Sequence, residues 1–130
     1  MTRVWSVEEA NRALPYLREV LSVLIEQHKR AELARRALLE IEQKAAGNGH
    51  GLDKELEHRR GRLRDALSQV RQSIEQLRSL GCEIKDLETG LLDFPSIHND
   101  REVLLCWRLD EPAVMYWHDR DKGFASRQPL

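Results

Sequence analysis

The chain has 130 residues, enough for one domain with a modest core of its own. Its 33% charged and 5% aromatic residues describe a molecule rich in exposed helix, and a net charge of -1 gives no overall pull toward nucleic acid or anionic lipid. No stretch approaches the ~20 apolar residues that span a bilayer, and two cysteines make no disulfide framework.

Ser6 stands three residues before Glu9, the spacing of a capping box, so a helix is predicted to start here. Ala10, Leu14, Leu17, Leu21, Leu24, His28, Ala31 and Leu38 follow at helical spacing. Pro15 interrupts this stripe, lacks an amide donor and crowds the turn before it. The expectation is a short helix over 7–14, folded back over the hairpin end, then a long one from Pro15 to about Ala46. Gly47-Asn48-Gly49-His50-Gly51 forms a turn cluster, and Asp53 is placed to cap a second helix. Leu56, Leu63, Leu67, Val70, Ile74 and Leu77 then recur with the heptad-like spacing of a coiled coil, and Gly81 is expected just past the helix end. A loop this short makes the two helices antiparallel.

After Gly81 the period shortens. Cys82–Asp86, Leu91–Phe94, Glu102–Leu109 and Ala113–Asp119 read as strands, with Asp110-Glu111-Pro112 turning between the last two. Phe124 marks a tail that packs somewhere. The predicted fold is α+β, one domain over 1–130: a long antiparallel helical hairpin with a short helix before Pro15 (1–80), and a small antiparallel sheet of three or four strands (81–130). Hairpin register decides which side chains meet. If Leu109 pairs with Ala113, Cys106 shares a face with Tyr116 and His118; a loop one residue longer puts Trp107 there instead.

Strands of six or seven residues reach ~20 Å and cover less than half of the hairpin. Leu33, Leu38, Leu39, Ile41, Leu52 and Leu56 are left on its distal part, and two helices cannot shield both of their faces. A homodimer through the helices is therefore expected. Charge supports association: residues 1–80 carry 15 Lys+Arg against 12 Asp+Glu, residues 81–130 carry 6 against 10.

Function is expected in 81–130. Asp86, Asp93, His98 and His118 are candidate ligands for a divalent metal, with Cys106 nearby, although no HExxH or CxxC spacing accompanies them. The same residues serve equally as turn caps and satisfied hydrogen bonds, and Asp86 with Asp93 can simply flank the turn Leu87-Glu88-Thr89-Gly90. Cys106 with His118 and Asp119 or Asp93 resembles a nucleophile set, but mid-strand placement favours a buried core thiol. Asp86, Asp93, Arg101, Trp107, Tyr116, His118 and Arg127 are the candidate lining of a ligand site, the cations suiting a small anion. Arg59, Arg60, Arg62 and Arg64 are interleaved with Glu55, Glu57 and Asp65, a solvated helix face rather than a nucleic-acid patch.

Several short pieces together resemble a known family. Val7-Glu8-Glu9-Ala10-Asn11 and Leu14-Pro15 open the likeness. Lys85-Asp86, Gly90-Leu91-Leu92-Asp93-Phe94-Pro95, Leu105-Cys106-Trp107, Tyr116-Trp117-His118, Gly123-Phe124 and Arg127 continue it. In these the chain is similar to the bacterial family called domain of unknown function 2203; from about Gln27 to Arg71 it matches only as generic helix. The resemblance implies a stand-alone small protein, in keeping with the cytoplasmic location expected from the lack of a signal-type apolar run and from reduced thiols. It implies no activity or cofactor. The favoured expectation is a non-catalytic binding module acting as a dimer, with a protein partner or a small anionic ligand. The alternative is a small hydrolase-like metal-dependent enzyme with its site in the sheet.

Overall fold

The computed structural model describes residues 3–48 and 51–130. Helix α1 runs over Val7–Asn48 and α2 over Asp53–Ser79, antiparallel to it; Gly49 and His50 of the expected turn lie outside the described residues. The capping box forms as expected: the Glu9 N–H donates to Ser6 Oγ at 3.0 Å and the Ser6 N–H to Glu9 Oε1 at 2.9 Å. The carboxyl of Glu9 is thereby held below its ordinary range, chiefly by its hydrogen bonds with Ser6. Asp53 does not cap α2. It is the first helical residue, and Leu52 occupies the cap position without a side-chain bond.

The short separate helix before Pro15 is not formed. α1 passes through Pro15 unbroken. The proline is exposed, so the amide bond it omits lies on the solvent side, while Leu14 and Leu17 on the other side are buried and hold the helix in line. The consequence is a length mismatch: at ~1.5 Å per residue α1 spans ~63 Å and α2 ~40 Å. Ser73 of α2 sits beside Gln27 of α1, its hydroxyl 2.6 Å from Gln27 Oε1, so the first turns of α1 overhang the end of α2. The sheet fills that overhang.

α2 ends in a Schellman motif. The Gly81 N–H donates to the Arg78 carbonyl and the Cys82 N–H to the Leu77 carbonyl. Gly81 has φ +92, and a Cβ there would stand 2.9 Å from the Cβ of Arg3, so both conformation and space require glycine.

The sheet has five antiparallel strands in sequential order, not three or four: β1 Glu83–Asp86, β2 Leu91–His98, β3 Arg101–Arg108, β4 Tyr116–Asp119 and β5 Gln128–Pro129. β2 and β3 are joined by Asn99 and Asp100, both at positive φ (51° and 62°), as a two-residue hairpin of the type I′ kind requires. β2 continues through Pro95. The Pro95 carbonyl accepts from the Trp5 N–H at 2.7 Å, and Ser96 Oγ donates to the Trp5 carbonyl at 2.6 Å. The nitrogen of Pro95 points to that same edge, so its missing proton removes no bond to β3.

Leu105 pairs with Phe94 and with Trp117, and Trp107 with Leu92. These side chains form one face, buried against Leu14, Leu17, Leu21 and Leu24 of α1 and Leu77 of α2. Arg18 of α1 pins the β3–β4 loop, donating to the carbonyls of Leu109, Glu111 and Pro112 at 3.0–3.1 Å. Asn11 Oδ1 accepts from the Val114 N–H at 2.7 Å. The distal hairpin is barer: Leu33 and Leu39 are 63% and 51% exposed, whereas Ile41, expected with them, is buried at 4%. Among the described residues no helix is long and apolar enough to cross a membrane.

Candidate functional site

The β3–β4 register is Cys106 opposite Tyr116 and Leu104 opposite His118. Of the two registers open from sequence, this is the one that sets Cys106 beside His118 and leaves Trp107 on the helix side with Trp117. Asp93 of β2 lies directly opposite Cys106. Asp93, Cys106 and His118 therefore share the face of the sheet turned away from the helices, on three neighbouring strands.

That face would be open to water if it were bare, yet the three side chains are 1%, 0% and 2% exposed. Side chains laid across the face account for this. Arg120, just beyond β4, reaches Glu83 on β1 at 3.1 Å. Those strands are three spacings apart, ~14 Å, a gap that two long side chains bridge between them. The Arg120–Glu83 pair is thus drawn across the outer face. On the other flank Arg127 from the tail stacks 4.0 Å from the Tyr116 ring centroid, bonds Glu111 at 2.7 Å and reaches the Cys106 carbonyl at 3.4 Å. The register places Arg108 on this outer face too, and its guanidinium and that of Arg127 both lie over Phe124, the packing partner of the tail.

Beneath this cover, His118 Nε2 is 3.1 Å from Asp93 Oδ2, and Nδ1 is 2.8 Å from the Asp119 carbonyl. A carbonyl only accepts, so Nδ1 carries the proton and Nε2 faces the carboxylate. Asp93 Oδ1 is buried, and apart from the weakly donating Cys106 thiol it has no hydrogen-bond partner among the described residues. Burial pushes the Asp93 carboxyl up, with His118 and the Cys106 thiol pulling it partly back. Burial, reinforced by Asp93, pushes the Cys106 thiol up to about 12. A thiol so suppressed is not a free nucleophile at neutral pH. One ligand atom from each of the three residues lies within 4.8 Å of the others.

The other sequence candidates lie elsewhere. Asp86 caps a turn, accepting from the Glu88 N–H at 3.1 Å and from Thr89 Oγ1 at 2.9 Å. His98 is on the opposite face of the sheet, its ring 4.6 Å from Trp117. Arg101 pairs with Asp119 at 3.1 Å, and Trp107 is wholly buried, donating its Nε1–H to the Glu111 carbonyl. Tyr116 and Arg127 flank the cluster. Sequence reading missed Arg18, Glu83, Glu111 and Arg120. Arg120 and Glu83 are 37 positions apart, and only the shared sheet brings them within reach.

Two grooves lie outside this cluster. One, of about 680 Å³, runs along the distal hairpin, where Leu33, Ala34, Ala37 and Ala66 form an apolar strip beside Arg30, Arg62, Glu55 and Asp65. Arg59 borders it, bound to Glu55 at 2.6 Å. The other lies at the end of α2, around Arg3, Gly81 and Pro95. Neither is lined by Asp93, Cys106 or His118.

Hairpin, five-stranded sheet and buried Asp–Cys–His cluster define a small α+β protein in which three strands meet at a polar centre. Within that class the chain belongs to the family described as Uncharacterized conserved protein (DUF2203), whose model matches residues 3–130. No curated protein and no solved structure matches it.

Proposed function

We propose that this chain is a non-catalytic binding module that works as a homodimer, its distal hairpin pairing with a second copy in a four-helix, coiled-coil-like arrangement. The observation that carries this reading is the distal groove. It combines exposed Leu33 and an alanine strip with charges of both signs. A two-fold interface must be complementary to itself, and a strip bearing both signs around an apolar centre can satisfy that; a strip of one sign would repel its copy. The sheet stays at the opposite end, free to meet a protein partner. A small anionic ligand is less well served, because Arg127 is taken by Glu111 and Arg101 by Asp119. The enzyme alternative needs substrate to reach His118, and burial at 2% withholds it.

Light scattering on the purified chain at micromolar concentration is expected to give twice the 15.2 kDa of one chain. The double substitution Leu33→Glu and Leu39→Glu is expected to return a folded monomer, since both side chains are exposed within one chain. A wild-type monomer overturns the proposal, and so does a dimer indifferent to the double substitution.

A further inference from the structure

The Asp93–Cys106–His118 cluster is left unexplained by a binding module whose surfaces lie elsewhere. It is also an expensive way to fill an interior, since buried polar groups cost stability unless fully paired. Apart from the weak donor of the Cys106 thiol, Asp93 Oδ1 has no partner among the described residues. His118 Nε2 presents its lone pair toward Asp93 Oδ2 when the ring is neutral, so two acceptors face each other at 3.1 Å unless a cation or proton lies between them. The Nδ1–H to Asp119 carbonyl bond is the contact that fixes a metal-ligating imidazole in tautomer and orientation.

We infer that Asp93, Cys106 and His118 bind a single four-coordinate transition-metal ion of the Zn²⁺ type. The ligands are a carboxylate oxygen of Asp93, Sγ of Cys106 and Nε2 of His118. A thiolate beside an imidazole selects Zn²⁺ or Co²⁺ over Mg²⁺ and Ca²⁺, which prefer all-oxygen sites. Metal–ligand lengths of ~2.0–2.3 Å place ligand atoms ~3.3–3.8 Å apart in a tetrahedron. The three donors already lie within 4.8 Å of one another, so side-chain adjustment suffices. Among the described residues no fourth His, Cys, Asp or Glu joins the cluster, and water takes the fourth position. On binding, the Cys106 S–H bond breaks, its electron pair goes to the metal, and the proton leaves to solvent. Each ligand comes from a different strand, so the ion ties β2, β3 and β4 together. Its role is to hold the sheet, and it stands apart from the hairpin dimer proposed above.

Chelator-treated chain titrated with Co²⁺ is expected to bind one equivalent, with thiolate-to-cobalt charge transfer in the near ultraviolet and visible bands of a four-coordinate ion. Zn²⁺ is expected to displace the Co²⁺ and to raise the melting temperature. Cys106→Ser is expected to lose the charge-transfer band and the Zn²⁺ shift while keeping the helical circular dichroism of the metal-free chain. Cys82→Ser is expected to keep both. Should Cys106→Ser fail to fold, His118→Gln and Asp93→Asn are each expected to lose the four-coordinate bands. The inference is overturned if wild type gives no thiolate band, if that band survives Cys106→Ser or vanishes in Cys82→Ser, or if the stoichiometry is not one per chain. Light scattering reads the dimer separately, so failure of one proposal is distinguishable from failure of the other.

Discussion

The two faces of the sheet are buried to the same degree by different means. The inner face is Leu92, Phe94, Leu105, Trp107 and Trp117, covered by α1 and α2. The outer face buries three polar side chains, Asp93, Cys106 and His118, beside Leu104, with the Arg120–Glu83 pair drawn across them. Removing the inner side chains from water stabilises the fold at about 25 cal/mol per Å² of apolar area. Enclosing the outer ones does the opposite unless they find partners. Equal burial therefore carries opposite signs of energy, and a low exposure value by itself says nothing about what a residue contributes.

The largest expected effect tests the inner face. Trp107→Ala removes a fully buried side chain, and urea unfolding is expected to show a loss of about 3–5 kcal/mol. On the outer face, His118→Leu in metal-free protein strands Asp93, at an expected cost of about 2 kcal/mol. Adding Asp93→Leu to that variant is expected to recover the loss or better it, since an apolar pair replaces a stranded acceptor. A double variant weaker than the single one would show that the polar face stabilises the apo fold, and the contrast between the faces would collapse.

A smaller effect comes from alkali. Cys82, in the core beside α2, has its thiol raised by burial from 9.0 to about 12. A group raised in the folded state contributes stability that is complete below its unfolded value and is lost as pH climbs toward the folded one. Stability is thus expected to fall between pH 9 and pH 12, and less steeply in Cys82→Ala, as thermal melts across that window would show.

Much of this architecture is legible in the residues. The stripe from Ala10 to Ala31, the Ser6–Glu9 box and Gly81 after α2 all act locally, through spacing, hydrogen bonding and φ, and local physics can be read from a string. What is not legible depends on the rest of the molecule. Pro15 breaks a helix in isolation but not one clamped by Leu14 and Leu17 against a core. β2 runs on to His98 because Pro95 turns its proton-less nitrogen away from β3, toward the edge where its carbonyl meets Trp5, ninety positions upstream. The dipeptide Asn99-Asp100 does carry a hairpin signal, since both residue types tolerate positive φ, but the strand pattern alone does not use it. β5 has two residues and no alternation to detect. At the site, Asp93 and His118 could be named, but not their separation from Asp86 and His98. That division rests on strand parity and on the turn that Asp86 caps, and the parity leaves no mark in the local sequence.

The overhang of α1 has a consequence for the order of assembly. Trp5 and the first turns of the helix are clasped by partners 91–103 positions downstream: Trp5 by Ser96, Arg18 by Leu109, Asn11 by Val114. The hairpin can form once α2 has been synthesised, because its contacts close through one short turn. The apolar stripe from Ala10 to Leu17 must wait, uncovered, until β3 and the segment after it emerge. Pairings so distant in the chain close slowly, and apolar surface left waiting invites association with whatever is near. The segment made first is the one completed last, and a chain stopped short of Val114 would leave it bare.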